Sequence, residues 1–311
     1  MELDPQAKFV LDIAIENKVP SLDTMSAAEA KKVYEARAQK LCLKDLPIGA
    51  VEDFDIPGSE ASIPVRLYTP TAGGSNLPVV VYYHGGGWVI GSRDSHDALC
   101  RQIANEGPFI VLSVEYRMGP DHPFPAAPID AFDAYKWAVE NIQSKGGDAK
   151  RIAVAGDSAG GNLSAVVCLM ARDAGVQLPT FQWLIYPATD ARMTTESHKT
   201  LKEGYFLTRD LMEWFQSHYL QNEGDQEDWR VSPLLAENLG NLPPALVQTA
   251  GFDPLKDEAV LYADRMTKEG GSVHHTEYPG MIHGFINLGG VIDQANVAIA
   301  EGVKALKAAF N

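Results

Sequence analysis

The run Arg151-Ile-Ala-Val-Ala-Gly156-Asp157-Ser158-Ala159-Gly160-Gly161 sets a serine between glycines. A short β-branched apolar stretch precedes it, and a small-residue helical pattern from Asn162 to Ala171 follows. Strand, sharp turn and helix in that order lift the Ser158 hydroxyl to an apex beside a helix N-terminus. Such a turn strains the serine backbone, and Gly156 and Gly160 supply the room it needs. The helix N–H groups and dipole favour negative charge developing there. An ordinary glycine-rich strand–helix turn is the bland alternative. The surrounding sequence favours a nucleophile.

Upstream, Val79-Val80-Val81-Tyr82-Tyr83 reads as a buried strand that runs into His84-Gly85-Gly86-Gly87-Trp88. Glycines after a strand let several N–H groups aim at one point, as the oxyanion of a tetrahedral intermediate requires. A phosphate cradle would carry a lysine after the glycines, and none is present. Gly86, Gly87 and Ala159 are the expected oxyanion donors. His84 is expected to anchor the loop through a ring hydrogen bond rather than to act as a base.

A serine hydroxyl is a weak nucleophile at neutral pH. It needs an imidazole to take its proton and a carboxylate to fix that imidazole's tautomer. Residues 245–250 read as a strand entering Gly251-Phe252-Asp253-Pro254-Leu255. Residues 272–278 read as another entering Pro279-Gly280-Met281-Ile282-His283-Gly284-Phe285. Ser158, Asp253 and His283 thus fall in the chain order expected of a nucleophile on a strand–helix elbow. Of the eight histidines, His84, His96, His122, His198 and His218 precede Asp253. His274 and His275 lie within a strand, where neighbours face opposite sides. Asp257 and Glu258 rival Asp253, but both fall in a helix beginning near Leu255, whose surface is the usual home of such charges.

With these residues in place the chain resembles the bacterial hormone-sensitive-lipase-like carboxylesterases, in the subgroup with Gly-Asp-Ser-Ala-Gly around the nucleophile. The resemblance spans nearly the whole length. It rests on His84–Gly87, Tyr116-Arg117 with Pro120, His122–Ala126, Gly156–Gly161, Asp253–Leu255 with Asp257-Glu258, and His283–Phe285. It implies an α/β-hydrolase fold, a helical cap and hydrolysis of short-chain acyl esters, and an acyl-enzyme mechanism on these residues is expected to need no cofactor. Trp88 follows the glycines where Phe is more usual, which bears on the pocket mouth. Glu115, Met118-Gly119 and Asp121 are further departures, and none removes a catalytic group.

Composition agrees. A chain of 311 residues, 45% hydrophobic, can bury one sizeable core. A net charge of −15 argues against nucleic acid and against anionic membrane surfaces as partners. No apolar run reaches transmembrane length. Met1-Glu2-Leu3-Asp4-Pro5 lacks the basic and apolar regions of a secretory signal, so a cytoplasmic protein is expected. The three cysteines, Cys42, Cys100 and Cys168, are odd in number and lack metal-ligand spacing, so neither a disulfide framework nor a metal site is expected. Cys168 reads as a small buried hydrophobe. The expected partner is a small acyl ester, and a homodimer is compatible with the sequence.

The elements that must position these residues follow from periodicity. Residues 1–45 read as cap helices, with Phe9, Val10, Ile13 and Ala14 at helical spacing. Strands begin near Val51 and Ile63, antiparallel across a Gly58-Ser59 turn. From Val79 strands and helices alternate, which implies a mostly parallel sheet with helices on both faces. Residues 46–311 form the catalytic domain. At about 190–232 the alternation breaks in an aromatic-rich insert, expected to serve as a lid. Trp88, Tyr186, Phe206, Leu207 and Phe215 are the expected pocket residues. The function so read is a serine carboxylesterase for short- to medium-chain esters, working through an acyl-enzyme. An amidase or lactonase with the same residues is the alternative, and a non-catalytic ligand receptor on the same fold is a third reading.

Overall fold

Val79, Val80 and Val81 are wholly buried, as expected of a strand covered on both faces. They lie near the middle of an eight-stranded sheet in the computed structural model, which describes residues 2–311. Met1, the first residue of the expected N-terminal unit, lies outside the described residues.

The chain opens with α1 (Pro5–Glu16) and α2 (Ala27–Leu41). Asp4 caps α1 by accepting the N–H of Gln6 and Ala7. Ser26 and Glu29 form a reciprocal capping box at the start of α2. There follow β1 (Ala50–Pro57), β2 (Ser62–Thr69), β3 (Leu77–Tyr83), α3 (Asp97–Glu106), β4 (Ile110–Val114), α4 (Ala126–Asn141), β5 (Gly147–Asp157) and α5 (Ala159–Asp173). The second half holds β6 (Gln182–Ile185), α6 (Glu196–Thr200), α7 (Arg209–Tyr219), β7 (Ala245–Phe252), α8 (Lys256–Lys268), β8 (Val273–Ile282) and α9 (Asp293–Phe310).

The strand order is β1-β2-β4-β3-β5-β6-β7-β8. β2 pairs antiparallel with β1 and β4, and the remaining pairs are parallel. The fold is an α/β-hydrolase fold, with a separate apolar core packed on each face of the sheet. β8 runs to Ile282, past the expected end at Tyr278, and so carries the chain directly to His283. Every parallel strand from β3 to β8 ends at the same sheet edge, and the elbow, the glycine loop, Asp253 and His283 all follow such ends. Open sheets of this kind bind ligands beyond the carboxyl ends of their strands. α6 and α7 lie in the insert between β6 and β7. Among the described residues no helix is long and apolar enough to cross a membrane.

Candidate active site

The turn between β5 and α5 is as tight as its glycines allow. Ser158 takes φ +54° and ψ −116°, a conformation rare for any residue with a side chain. A Cβ on Gly160 would fall 1.8 Å from the Tyr83 carbonyl oxygen, so only glycine lets α5 start this close to β3. The Ser158 N–H donates to Ile185 O at 2.9 Å, which fixes the elbow against β6.

The structure brings Ser158, His283 and Asp253 into one hydrogen-bonded line. Ser158 Oγ lies 2.9 Å from His283 Nε2, and His283 Nδ1 lies 2.7 Å from Asp253 Oδ2. Asp253 is wholly buried, and its Oδ1 accepts the Leu255 N–H at 2.8 Å, which leaves Oδ2 for the ring. With Nδ1–H donated to the carboxylate, Nε2 is left to accept the serine proton. The Tyr186 ring lies 4.6 Å from the imidazole and limits its tilt.

The N–H groups of Gly86, Gly87 and Ala159 have no acceptor among the described residues. They are unused donors beside Ser158, at a helix N-terminus and in a left-handed loop. His84 sits behind them. Its Nδ1 is 2.9 Å from Gly85 O, its ring stacks on Tyr116 at 4.4 Å, and Tyr116 donates to the His84 carbonyl. Burial pushes the His84 ring down to about 4, so the ring is neutral at ordinary pH. A neutral ring can donate Nδ1–H to Gly85 O.

Ser158 and His283 open on a cavity of about 890 Å³, counting its mouth. Trp88, Phe206, Leu207 and Phe215 line it, as expected, and Leu22 and Tyr34 from the N-terminal segment contribute as well. Tyr186 does not line it. That residue is 1% exposed and packs between His283 and Phe285, because the short β6 ends before it and turns the ring into the core.

Two features escaped the sequence reading. The Asp157 carboxylate is buried beneath the elbow, where it accepts the Tyr82 hydroxyl at 2.7 Å and the Gly85 N–H at 3.0 Å, with His96 Nε2 at 3.2 Å. Burial alone would raise its pKa, but His96, the Tyr82 hydroxyl and His84 hold it below the ordinary carboxylate range. Its place inside the serine motif was a signal. His96 and Asn287 come together at 3.0 Å with no sequence signal at all. The second is Glu258, expected on a helix surface but 1% exposed. It accepts the N–H of Thr189 and Asp190 and lies 2.6 Å from His198 Nε2, because α8 turns that face toward the loop after β6. Asp257, as expected, is not buried, and it accepts the Ser197 N–H.

Known proteins share this architecture. A family model described as alpha/beta hydrolase fold matches residues 80–287. The carboxylic ester hydrolase LipN of Mycobacterium tuberculosis is 47% identical over 244 residues, which cover 76% of this chain and 65% of LipN. The carboxylesterase NlhH of the same species is 39% identical over 316 residues, covering 100% of this chain and 97% of NlhH. The solved structure of an ester hydrolase from the metagenome of Lake Arreo, complexed with a derivative of bipyridine phosphonate, matches with a TM-score of 0.96. It is 41% identical over 99% of each chain.

Proposed function

The chain belongs to the hormone-sensitive-lipase-like α/β hydrolases, and from that premise we propose that it is a carboxylesterase acting through Ser158, His283 and Asp253. Ser158 Oγ attacks the acyl carbonyl while its proton passes to His283 Nε2. The Asp253 carboxylate stabilises the imidazolium formed. The carbonyl oxygen becomes an oxyanion held by the N–H groups of Gly86, Gly87 and Ala159. Collapse breaks the acyl–oxygen bond, and Nε2 returns the proton to the leaving alcohol. Water then attacks the acyl-enzyme by the same route, giving a carboxylic acid and free Ser158.

The observation that carries this reading is the continuous hydrogen-bond line from Ser158 through His283 to Asp253. The insert at 190–232 and the helices of 1–45 act as a cap over the acyl and alcohol pockets. Their shared lining of the cavity, through Leu22 and Tyr34 on one side and Phe206, Leu207 and Phe215 on the other, supports this. The unpaired edge of β8 supports a homodimer, and three unpaired cysteines and a net charge of −15 support a cytoplasmic enzyme without nucleic-acid partners. The test is a serine-directed organophosphonate ester. It should label Ser158, abolish p-nitrophenyl butyrate hydrolysis and fail to label Ser158→Ala. A labelled peptide lacking Ser158 would overturn the assignment.

A further inference from the structure

Three successive residues of the glycine loop have positive φ: Gly86 at +125°, Gly87 at +59° and Trp88 at +59°. Glycine adopts this region freely, but an indole side chain makes it an outlier that persists only where the surroundings over-determine it. Two contacts do so here. The Trp88 indole lies flat on the ring of Tyr219, the last residue of α7, with centroids 4.6 Å apart and planes 5° apart. The Trp88 carbonyl accepts the Gly119 N–H at 2.9 Å. Trp88 Nε1 and the Tyr219 hydroxyl are both buried with no hydrogen-bond partner among the described residues, so the polar ends do not hold this pair together. What remains is the stacked area.

Tyr219 is itself held firmly. Its carbonyl accepts the Phe124 N–H at 2.8 Å, and the Phe124 ring meets it edge-on at 6.0 Å. One turn earlier on α7, Phe215 packs on Gly87 so closely that a Cβ there would fall 2.3 Å from its ring. One helix of the insert therefore bears on both Gly87 and Trp88.

We propose that Tyr219 is a positioning residue for the oxyanion loop, and that it acts through Trp88. The stack holds Trp88 in its left-handed conformation, and the Gly87–Trp88 peptide and the Gly87 N–H take their aim from it. Without the stack Trp88 relaxes toward negative φ, Gly87 readjusts its own dihedrals to keep the loop joined, and its N–H, carried on the Gly86–Gly87 peptide, loses its alignment on the oxyanion. The inference rests on the oxyanion role assigned to Gly86 and Gly87 above.

The test is a double-mutant cycle read by steady-state kinetics on p-nitrophenyl butyrate and by the rate of phosphonate inactivation. Tyr219→Phe keeps the ring and should retain at least half of the wild-type kcat. Tyr219→Leu removes it and should lower kcat roughly 10- to 100-fold, toward the 10²–10³ of a fully lost donor. KM should change less than about threefold, and phosphonylation should slow in parallel with kcat. In a Trp88→Gly background glycine accepts positive φ unaided, so adding Tyr219→Leu should cost less than about threefold. The same loss in both backgrounds, a loss confined to KM, or a Tyr219→Leu kcat within twofold of wild type would overturn the proposal. If circular dichroism shows Tyr219→Leu unfolded, Tyr219→Met takes its place in the same cycle. Failure of the wild-type enzyme to hydrolyse the ester or to label at Ser158 would instead strike the functional reading beneath it.

Discussion

The Asp157 carboxylate accepts the Gly85 N–H at 3.0 Å, so the residue before Ser158 holds the residue before Gly86 and Gly87. One buried side chain thereby ties the elbow to the glycine loop. It also meets Tyr82 from β3, His96 from the start of α3, and Asn287 from the segment after His283. The Ser158 elbow, the glycine loop and the segment after His283 share one anchor.

Asp157→Ala is accordingly expected to lower kcat by about 10²-fold, near the loss of one oxyanion donor. It should also lower stability by several kcal/mol, because buried donors left unpaired cost about 1–3 kcal/mol each. Asp157→Asn keeps one acceptor oxygen and should lose less in both. The pH dependence follows from the sign of the shift. The folded pKa lies below the unfolded value of about 3.9, so the stabilisation is present above that value and is lost as pH falls through the folded pKa. Urea melts of wild type and Asp157→Asn at successive pH values should converge toward strong acid. A constant gap would contradict this.

Asp253, the acid of the proposed relay, has a close rival in sequence, and geometry separates the two. Asp253 Oδ2 is 2.7 Å from His283, whereas Asp257 Oδ2 is engaged with the Ser197 N–H. Asp253→Asn should leave the fold intact and lower kcat about 10⁴-fold through the wrong imidazole tautomer. Asp257→Asn should lower it less than about threefold. Equal losses would mean that the acid is misassigned.

The outcomes above turn on residues of unequal visibility in the sequence. The elbow, the glycine loop and the Ser, Asp, His order were legible because each is local: a few residues after a strand, with glycines where the backbone demands them. The parallel sheet was legible from alternating strand and helix patterns. Glu258 was misjudged because burial of a charge inside a helix depends on what the helix faces, and no local pattern records that. The approach of His96 to Asn287 depends on chain closure across 191 positions. Tyr186 read as a pocket aromatic, but its backbone turns inward at the end of β6.

Glu258 offers a second pH-dependent test of opposite sign. Burial raises its pKa, and His198 together with the Thr189 and Asp190 N–H groups offsets this only in part. A folded pKa above the unfolded value of about 4.3 means that the native state binds the extra proton. This contribution to stability is full below that value and is lost as pH rises through the folded pKa. Glu258→Gln does not titrate and keeps an acceptor for both N–H groups. Its stability relative to wild type should therefore rise with pH across that window. Glu258→Leu strips the partner from His198 and from the Thr189 and Asp190 N–H groups, and should be strongly destabilised, by about 1–3 kcal/mol for each buried group left unpaired. Thermal melts of the three proteins between acid and neutral pH decide it, and a Gln variant whose relative stability falls with pH would refute the assigned direction.

Acyl-chain preference follows from what bounds the cavity. Leu207 and Phe215 both lie in its wall and are themselves buried, so the wall is firm rather than a fringe of mobile side chains. Each acyl methylene buried against it contributes about 0.8 kcal/mol, roughly fourfold in kcat/KM, until the wall is met. For p-nitrophenyl esters kcat/KM should therefore climb to a maximum at about four to eight carbons and then fall, because a further methylene must displace packed side chains at a typical cost of about 1–3 kcal/mol. Leu207→Ala removes three carbons from that wall. Its optimum should move about two carbons longer, and the ten-carbon ester should gain about tenfold relative to the six-carbon ester. An unchanged profile in Leu207→Ala would place the end of the acyl chain elsewhere. A wild-type maximum at sixteen carbons would overturn the short-chain reading altogether.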